Sequence, residues 1–226
     1  GKRRILNMTT FVEIVNKDVL AFLEKNNELL FNERDFQMHL ATWLRNSANN
    51  YDDVDVEYYV PWQELDGYIW ESELRLDIVV KKNGEYCPVE LKYKTKNIER
   101  QITRFDELLN KKVAVMKDQG AQNLGMYDFW KDVHRIELVR KRFKRVKGGL
   151  AVFVTNDVLY TKASKSSSNN YLFGMVGDVT RLKQKHWRNP ESTCAKTHPN
   201  FDVEQSYDII WHSRDIDNVN FYYCIV

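Results

Sequence analysis

The sequence has few cysteines, and their number is odd. Cys87, Cys194 and Cys224 are the three in 226 residues, and they are widely spaced with no C-x-x-C pair. Such a set argues against a disulfide framework and is typical of a protein from a reducing compartment. No apolar run approaches the roughly 18 residues that a membrane span needs. We therefore expect a soluble, cytoplasmic protein with no membrane partner.

Several motifs that carry common chemistries are also missing. The sequence contains no G-x-x-x-x-G-K-[ST] and no G-x-G-x-x-G, so neither pattern supports nucleotide binding. It also lacks G-x-S-x-G, the pattern around an esterase nucleophile. Charge is nearly balanced, with 34 basic and 32 acidic residues and a formal net charge of +2. Total charge therefore does not indicate a polyanionic partner, and the distribution of the charges matters more.

Apolar residues are abundant enough for a sizeable core, at 43% of the chain with 13% aromatic. We predict a single domain over residues 1–226 that needs no disulfide or metal for stability. Apolar spacing and capping residues predict an α/β (α+β) fold, with a central mixed sheet flanked by helices. The expected helices cover residues 10–26, a second stretch from about 32 that ends around 46–50, a short segment from Ile98 to Leu109, and 121–147. The expected strands cover residues 54–60, 73–82, 86–95, 150–160 and 221–226.

The segment from Leu74 to Lys96 holds two runs of alternating apolar and polar residues around Asn83-Gly84. Alternation predicts strands, and Asn-Gly between such runs is a strong hairpin signal. On the first strand, Leu74, Leu76, Ile78 and Val80 are expected on one face. The hairpin is expected to bring Asp77, Glu90 and Lys92 together on one surface. This cluster is the candidate site.

Glu90-Leu91-Lys92 is the only Asp/Glu-x-Lys triplet in the chain, and it follows a strand that carries Asp77. This arrangement resembles the PD-(D/E)xK nuclease superfamily over about residues 30–160, flanked by an N-terminal helix and a C-terminal extension. The segment GAQNLGMYDFWKDVHRIE is similar to the helix after the third strand in uncharacterised bacterial members. The proline of the motif name is absent, because Leu76 precedes Asp77. The resemblance implies a restriction-endonuclease-like fold and a nuclease.

The resemblance also implies roles for particular residues. Asp77 and Glu90, with the carbonyl of Leu91, would bind Mg²⁺ or Mn²⁺, for which oxygen ligands are suitable. Lys92 would position or activate the attacking water and offset phosphate charge. Glu33 would orient water or help a second ion. Gln122 is the expected polar residue from the following helix, with Gln119 and Gln101 as rivals.

A polymer substrate also needs a binding surface. Basic residues crowd the end of the long predicted helix and are candidates for phosphate contacts with DNA: Arg135, Arg140, Lys141, Arg142, Lys144 and Arg145. Cations near a helix C-terminus also interact favourably with the helix dipole, which is an equally good explanation. A homodimer would supply the two sites that cutting both strands of a duplex usually needs.

Other interpretations of the same residues stay open. Asp77 and Lys92 could form an ordinary cross-strand ion pair, and an acid such as Glu33 in the first turn of a helix needs no catalytic explanation. The leading hypothesis is a Mg²⁺-dependent deoxyribonuclease. The alternatives are a non-cleaving nucleic-acid-binding module on the same fold and a protein-interaction domain whose charges are solvated faces.

Overall fold

The computed structural model describes residues 8–226, and within them the chain is an α/β protein with four helices and a six-stranded mixed sheet. The helices are α1 (Phe11–Lys25), α2 (Glu33–Arg45), α3 (Gln122–Arg142) and α4 (Thr193–Thr197). The strands are β1 (Asp53–Val60), β2 (Leu74–Lys82), β3 (Glu85–Lys94), β4 (Ile98–Arg100), β5 (Thr103–Arg104), β6 (Glu107–Leu108), β7 (Val113–Met116), β8 (Leu150–Thr155), β9 (Gln184–Lys185), β10 (Phe201–Asp202), β11 (His212–Ile216) and β12 (Val219–Ile225). The large sheet has the order β1-β2-β3-β8-β12-β11, in which only β3 and β8 are parallel neighbours.

The first two helices begin where the sequence predicts. Thr10 and Glu13 form a capping box, and the Asn32 side chain accepts a hydrogen bond from the amide of Asp35 at 2.9 Å. Both caps satisfy amides that a helix N-terminus leaves without partners. The buried sides of α1 and α2 pack on one face of the large sheet and form a core that includes Phe36, Leu40 and Leu91.

The opposite face of the sheet is covered by α3 and by much of the chain after β8. Trp130 and Phe129 of α3 are fully buried there, together with Phe153 from β8 and Phe173 from the C-terminal region. Buried aromatic rings of this size supply much of the apolar area removed from water. No helix within residues 8–226 is both long and apolar enough to cross a membrane.

Strand β2 changes sides near its middle, which corrects the predicted alternation. Leu74 and Leu76 belong to the core under α3, whereas Ile78 and Val80 belong to the core under α1 and α2. The change falls at Asp77. Opposite it, Glu57 of β1 has a positive φ of 51°. Glu57 and Asp77 do not pair, although the residues on either side of them in the β1–β2 ladder do. A distorted step re-aims the side chains beyond it, as a β-bulge does.

The helix predicted from Ile98 to Leu109 is wrong. Residues 98–116 instead form a β-arm, in which β4 pairs with β7 and β5 pairs with β6. Phe105, at the tip, is 99% exposed, whereas Ile98 and Ile102 pack against the core under α1 and α2, so the spaced apolar residues do not share one buried face. The amide of Leu109 donates to the carbonyl of Ile102 at 2.9 Å and closes the arm as a hairpin. Periodicity alone could not distinguish these outcomes in so short a segment.

The long helix also ends earlier than predicted, at Arg142 rather than near Lys147, so Gly148-Gly149 do not terminate it. Phe143 is extended, and the carbonyl of Arg145 accepts a hydrogen bond from the amide of Tyr86 at 2.9 Å. Pairing with the start of β3 therefore ends the helix. Strand β8 likewise stops at Thr155 and is followed by a short 3-10 turn over Val158–Thr161.

Candidate active site

The candidate site lies where β2 and β3 separate. Their antiparallel ladder ends at Ile78 and Val89. Beyond that pair, the amide of Asp77 donates to Oε1 of Glu90 at 2.9 Å, and the amide of Leu91 donates to Oδ2 of Asp77 at 2.7 Å. Each carboxylate thus binds an amide of the other strand. The two acids that the sequence predicted are brought together at one point in the sheet.

Helix α2 supports this junction from one side. Oε2 of Glu33 accepts a hydrogen bond from the amide of Tyr93 at 2.9 Å, the next free amide along β3 after Leu91. Gln37 is buried, and its Nε2 donates both to the carbonyl of Asp77 at 2.7 Å and to Oε1 of Glu57 at 2.9 Å. Glu33 and Gln37 therefore hold the separated strands in place. Backbone groups that lack a ladder partner need such substitutes.

Helix α3 supports the junction from the other side. Nζ of Lys92 lies 2.7 Å from Oδ2 of Asp132 and donates to the carbonyl of Leu91 at 3.0 Å. Asp132 is 1% exposed, and its Oδ1 has no hydrogen-bond partner within the described residues. Arg135 approaches that oxygen at 3.9 Å and donates to the hydroxyl of Tyr68 at 3.0 Å. Lys92 is therefore anchored by an acid from α3.

The pKa values of the site residues are shifted because several acids are buried close to one lysine. Burial raises the pKa of Asp77 to about 7; Lys92 opposes this effect and Asp132 adds to it. Burial, followed by the charges of Asp132 and Asp77, raises the pKa of Glu90 well above its ordinary value. Burial alone would lower the pKa of Lys92, but the surrounding carboxylates, with Asp132 the foremost, outweigh it and raise that pKa. Lys92 therefore remains protonated at neutral pH.

The arrangement fits one divalent cation with oxygen ligands. Asp77 and Glu90 each bind an amide through one oxygen, Oδ2 of Asp77 and Oε1 of Glu90, and no hydrogen bond within the described residues involves the second oxygen of either. Mg²⁺ is commonly held by one or two carboxylates and keeps several waters. No group of three His, Cys, Asp or Glu side chains in residues 8–226 forms a ligand set. A cation at this place would therefore have two carboxylate ligands, and Glu33, whose Oε2 accepts a hydrogen bond from the amide of Tyr93, provides no third.

Gln122 forms no hydrogen bond with the two acids in the described part of the chain, so its role in the site stays a prediction. Its Nε2 donates to Oδ2 of Asp157 at 2.6 Å, and Asp157 also pairs with Lys96 at 3.5 Å. These residues connect the start of α3 with the end of β8. The polar residue that reaches Asp77 is Gln37, from the helix before the sheet.

The predicted basic patch does not lie beside the acids. Arg135 is the exception, but it is largely buried against Tyr68 and Asp132 and is not a surface contact. The remaining members, Arg140, Lys141, Arg142, Lys144 and Arg145, are exposed at the far end of α3. Arg142 follows Asp132 by ten residues, or about 15 Å along the helix. Nη1 of Arg145 donates to the carbonyl of Gly84 in the hairpin turn at 3.3 Å.

Sequence reasoning missed Asp132 and Gln37, although each left a signal. Asp132 stands between Phe129 and Val133 of the predicted buried stripe, where an unpaired acid would be costly. Gln37 follows Phe36 on the buried side of α2. A charged or polar residue within a buried stripe needs a partner, so both positions indicated polar contacts that the sequence could not specify.

Comparison with known proteins adds no assignment. No protein-family model matches the chain, and neither the curated proteins nor the solved structures contain a match.

Proposed function

We propose that the chain is a Mg²⁺- or Mn²⁺-dependent nuclease that hydrolyses phosphodiester bonds of DNA. The observation that carries the proposal is the reciprocal binding of Asp77 and Glu90 across the separated strands, with Lys92 two residues beyond Glu90 on β3. Paired buried acids repel each other, and their raised pKa values indicate that a cation would stabilise their ionised forms.

The order of elements supports the same proposal. Helix α2, strands β1 to β3, helix α3 and strand β8 follow one another, with β8 parallel to β3. This is the order of the restriction-endonuclease-like core, with an acid on the second strand and Asp/Glu-x-Lys on the third. On this proposal, the arm of β4 to β7 and the region after β8 are additions to that core.

Each residue then has a role that its surroundings permit. Asp77, Glu90 and the Leu91 carbonyl would hold the metal, which when bound lowers the pKa of a water and offsets charge on a phosphoryl oxygen. Lys92 remains an ammonium group because of Asp132, so it can donate a hydrogen bond to water or phosphate but cannot accept a proton. Gln37 and Glu33 keep the strands apart, and Asp132 positions Lys92.

The test is cleavage of plasmid DNA and of RNA with Mg²⁺ or Mn²⁺. We expect wild-type protein to nick DNA and the Asp77→Asn and Lys92→Ala variants to lose at least about a hundredfold in rate, while DNA binding is retained. Lys94→Ala is a matched control, because Lys94 lies two residues further along β3 and pairs with Asp128 of α3 at 3.5 Å. An equal loss in the control would contradict the assigned role of Lys92.

A second candidate is a nucleic-acid-binding module that does not cleave. Two observations favour it: the ammonium of Lys92 is already neutralised by Asp132, and no third acid among residues 8–226 completes a ligand set. This candidate predicts salt-sensitive DNA binding with no cleavage by either ion. The same assay therefore separates the two functions.

A further inference from the structure

A cavity of about 620 Å³ opens on the α3 side of the sheet, near the end of that helix. Its walls include the aromatic rings of Tyr58, Tyr59, Tyr86 and Phe143. Tyr59 is 50% exposed, so part of this aromatic surface is available to a ligand. The volume lies within the range of pockets that bind small molecules or parts of larger ones. We refer to it as the aromatic cavity.

Basic side chains surround the aromatic cavity. Arg142, Lys144 and Arg145 line it; Arg142 pairs with Glu64 at 2.7 Å, whereas neither Lys144 nor Arg145 forms an ion pair within residues 8–226. Cations also lie close to the rings themselves, since the guanidinium of Arg142 is 5.0 Å from the centre of Phe143 and that of Arg75 is 5.2 Å from Tyr59. Aromatic rings interleaved with cations match a ligand that is both flat and anionic.

The aromatic cavity and the candidate active site share strands β2 and β3, although the basic rim of the cavity is about 15 Å along α3 from Asp132. Leu76 lines the cavity, and the next residue of β2 is Asp77. Pro88 of β3 also lines it, and Glu90 follows two residues later, a distance of about 7 Å along a strand. Successive nucleotides of one DNA strand are about 3.4 Å apart along the axis of a duplex. A nucleic acid whose phosphate lies at the acids can therefore place a base in the cavity a few nucleotides away.

We infer that the aromatic cavity binds an unpaired base of a single-stranded nucleic acid whose backbone passes along Arg142, Lys144 and Arg145. The base would stack on Tyr59 or Phe143, and the basic residues would contact its phosphates. A paired base is held within the duplex and cannot enter a cavity, so this surface selects single-stranded or locally unpaired substrate. The inference rests on the proposed nuclease function and specifies its substrate class.

The experiment measures binding separately from cleavage. Fluorescence anisotropy without divalent ions would compare a short labelled single-stranded DNA with an abasic oligonucleotide of the same length and charge. We expect wild-type protein to bind the intact strand about tenfold more tightly, the effect of stacking one base. The Tyr59→Ala and Phe143→Ala variants should lose most of this difference; Tyr59, which is half exposed, can be truncated with less risk to folding.

The basic rim is tested with a charge reversal. Lys144→Glu should weaken the binding of intact and abasic strands equally. Lys17→Glu is the matched control, because Lys17 is exposed on α1, which covers the other face of the sheet. We expect this control to bind as wild type does. Thermal unfolding of each variant would verify that it is folded.

The outcomes separate this inference from the nuclease proposal. Wild-type protein that cleaves DNA but does not distinguish intact from abasic strands would overturn the inference and leave the nuclease intact. Loss of base-dependent binding in the cavity variants of a protein that never cleaves would support the inference and reject the nuclease. Tighter binding of duplex than of single-stranded DNA would also overturn the inference.

Discussion

Nζ of Lys92 lies 2.7 Å from Oδ2 of Asp132, and both side chains are largely removed from solvent. The pair joins β3 to α3 at the position where the strand carries its acid and lysine. A buried ion pair of this kind need not add net stability, because both charges lose their hydration. Its consequence here is positional, since it fixes the ammonium beside the Leu91 carbonyl.

The first prediction concerns this pair. Lys92→Met alone should lower the free energy of unfolding by roughly 3 kcal/mol, because Asp132 would stay buried with only the more distant Arg135, at 3.9 Å, as a counter-charge. The double variant Lys92→Met, Asp132→Leu should recover most of that loss. Urea unfolding of the two single variants and the double variant gives the coupling as a double-mutant cycle. Additive effects would show that the two charges do not interact.

The second prediction compares two glutamines. Gln37→Leu should reduce the cleavage rate by about tenfold, since Asp77 and Glu57 lose the amide that joins them and the reacting groups are no longer held in place. Gln122→Leu, the matched control, should stay within about twofold, because Gln122 contacts Asp157 and not the acids. Steady-state cleavage assays would measure both. A larger loss of cleavage rate in Gln122→Leu than in Gln37→Leu would instead place Gln122 in the site.

The third prediction is a dependence of stability on pH. The pKa of Asp77 is raised to about 7, so the folded protein holds a proton that the unfolded chain has already released. The stability from this group is therefore present below the unfolded pKa of about 4 and is lost as pH rises to about 7. Without metal, we expect a melting temperature lower at about pH 8 than at about pH 5.

Binding of a metal ion should restore the stability that the protein loses as the pH rises. Millimolar Mg²⁺ at about pH 8 should raise the melting temperature of the wild-type protein, because binding to the folded state alone stabilises it. Asp77→Asn should lose the Mg²⁺ effect and the part of the pH effect that comes from Asp77, while the raised pKa of Glu90 keeps the remainder. Asp55→Asn, at an exposed acid on β1, should keep both. If Mg²⁺ gives no shift in the wild-type protein, these acids do not form a metal site.

The fourth prediction concerns the tip of the β-arm. Phe105 and Asp106 have positive φ angles of 52° and 64°, as Asn83 and Gly84 do at 51° and 76° in the main hairpin. Such turns favour Asn-Gly, and a bulky residue there is strained by roughly 1 kcal/mol. Replacing Phe105-Asp106 with Asn-Gly should therefore stabilise the arm by about 1 kcal/mol.

Amide hydrogen exchange would detect this change. The amide of Leu109, which donates to the carbonyl of Ile102 within the arm, should exchange about fivefold more slowly in the Asn-Gly variant. The amide of Phe153, in the central strand β8, provides the control and should be unchanged. Faster exchange at Leu109 would mean that Phe105 stabilises the arm through a contact instead of straining it.

Local signals explain which elements the sequence predicted correctly. Thr10 and Asn32 cap helices through residues within three positions of them, and Asn83-Gly84 sets the hairpin by its own backbone preference. Each of these contacts joins residues that are close together in the sequence, so a short stretch of the chain is enough to form it. The helix α1, the start of α2 and the strands β1 to β3 were therefore predicted within one or two residues, whereas α2 ends at Arg45, before the predicted end at 46–50.

The elements that were predicted wrongly depend on distant partners. Residues 98–109 have helical spacing, but Phe105 finds no core and the segment pairs as an arm. Helix α3 ends early because Arg145 pairs with Tyr86, a residue far away along the chain. The end of a helix within a basic, helix-favouring stretch was thus decided by strand pairing and not by local propensity.

By itself, the sequence determined that an acid and an acid-x-lysine triplet would stand on adjacent strands of one hairpin, because alternation and turn chemistry are properties of neighbouring residues. Only the tertiary structure decided that the strands separate at Asp77, that Lys92 pairs with Asp132, and that Gln37 rather than Gln122 reaches the junction. Those contacts join residues from different elements. They are selected by the requirement that buried charges and amides find partners, which no local pattern records.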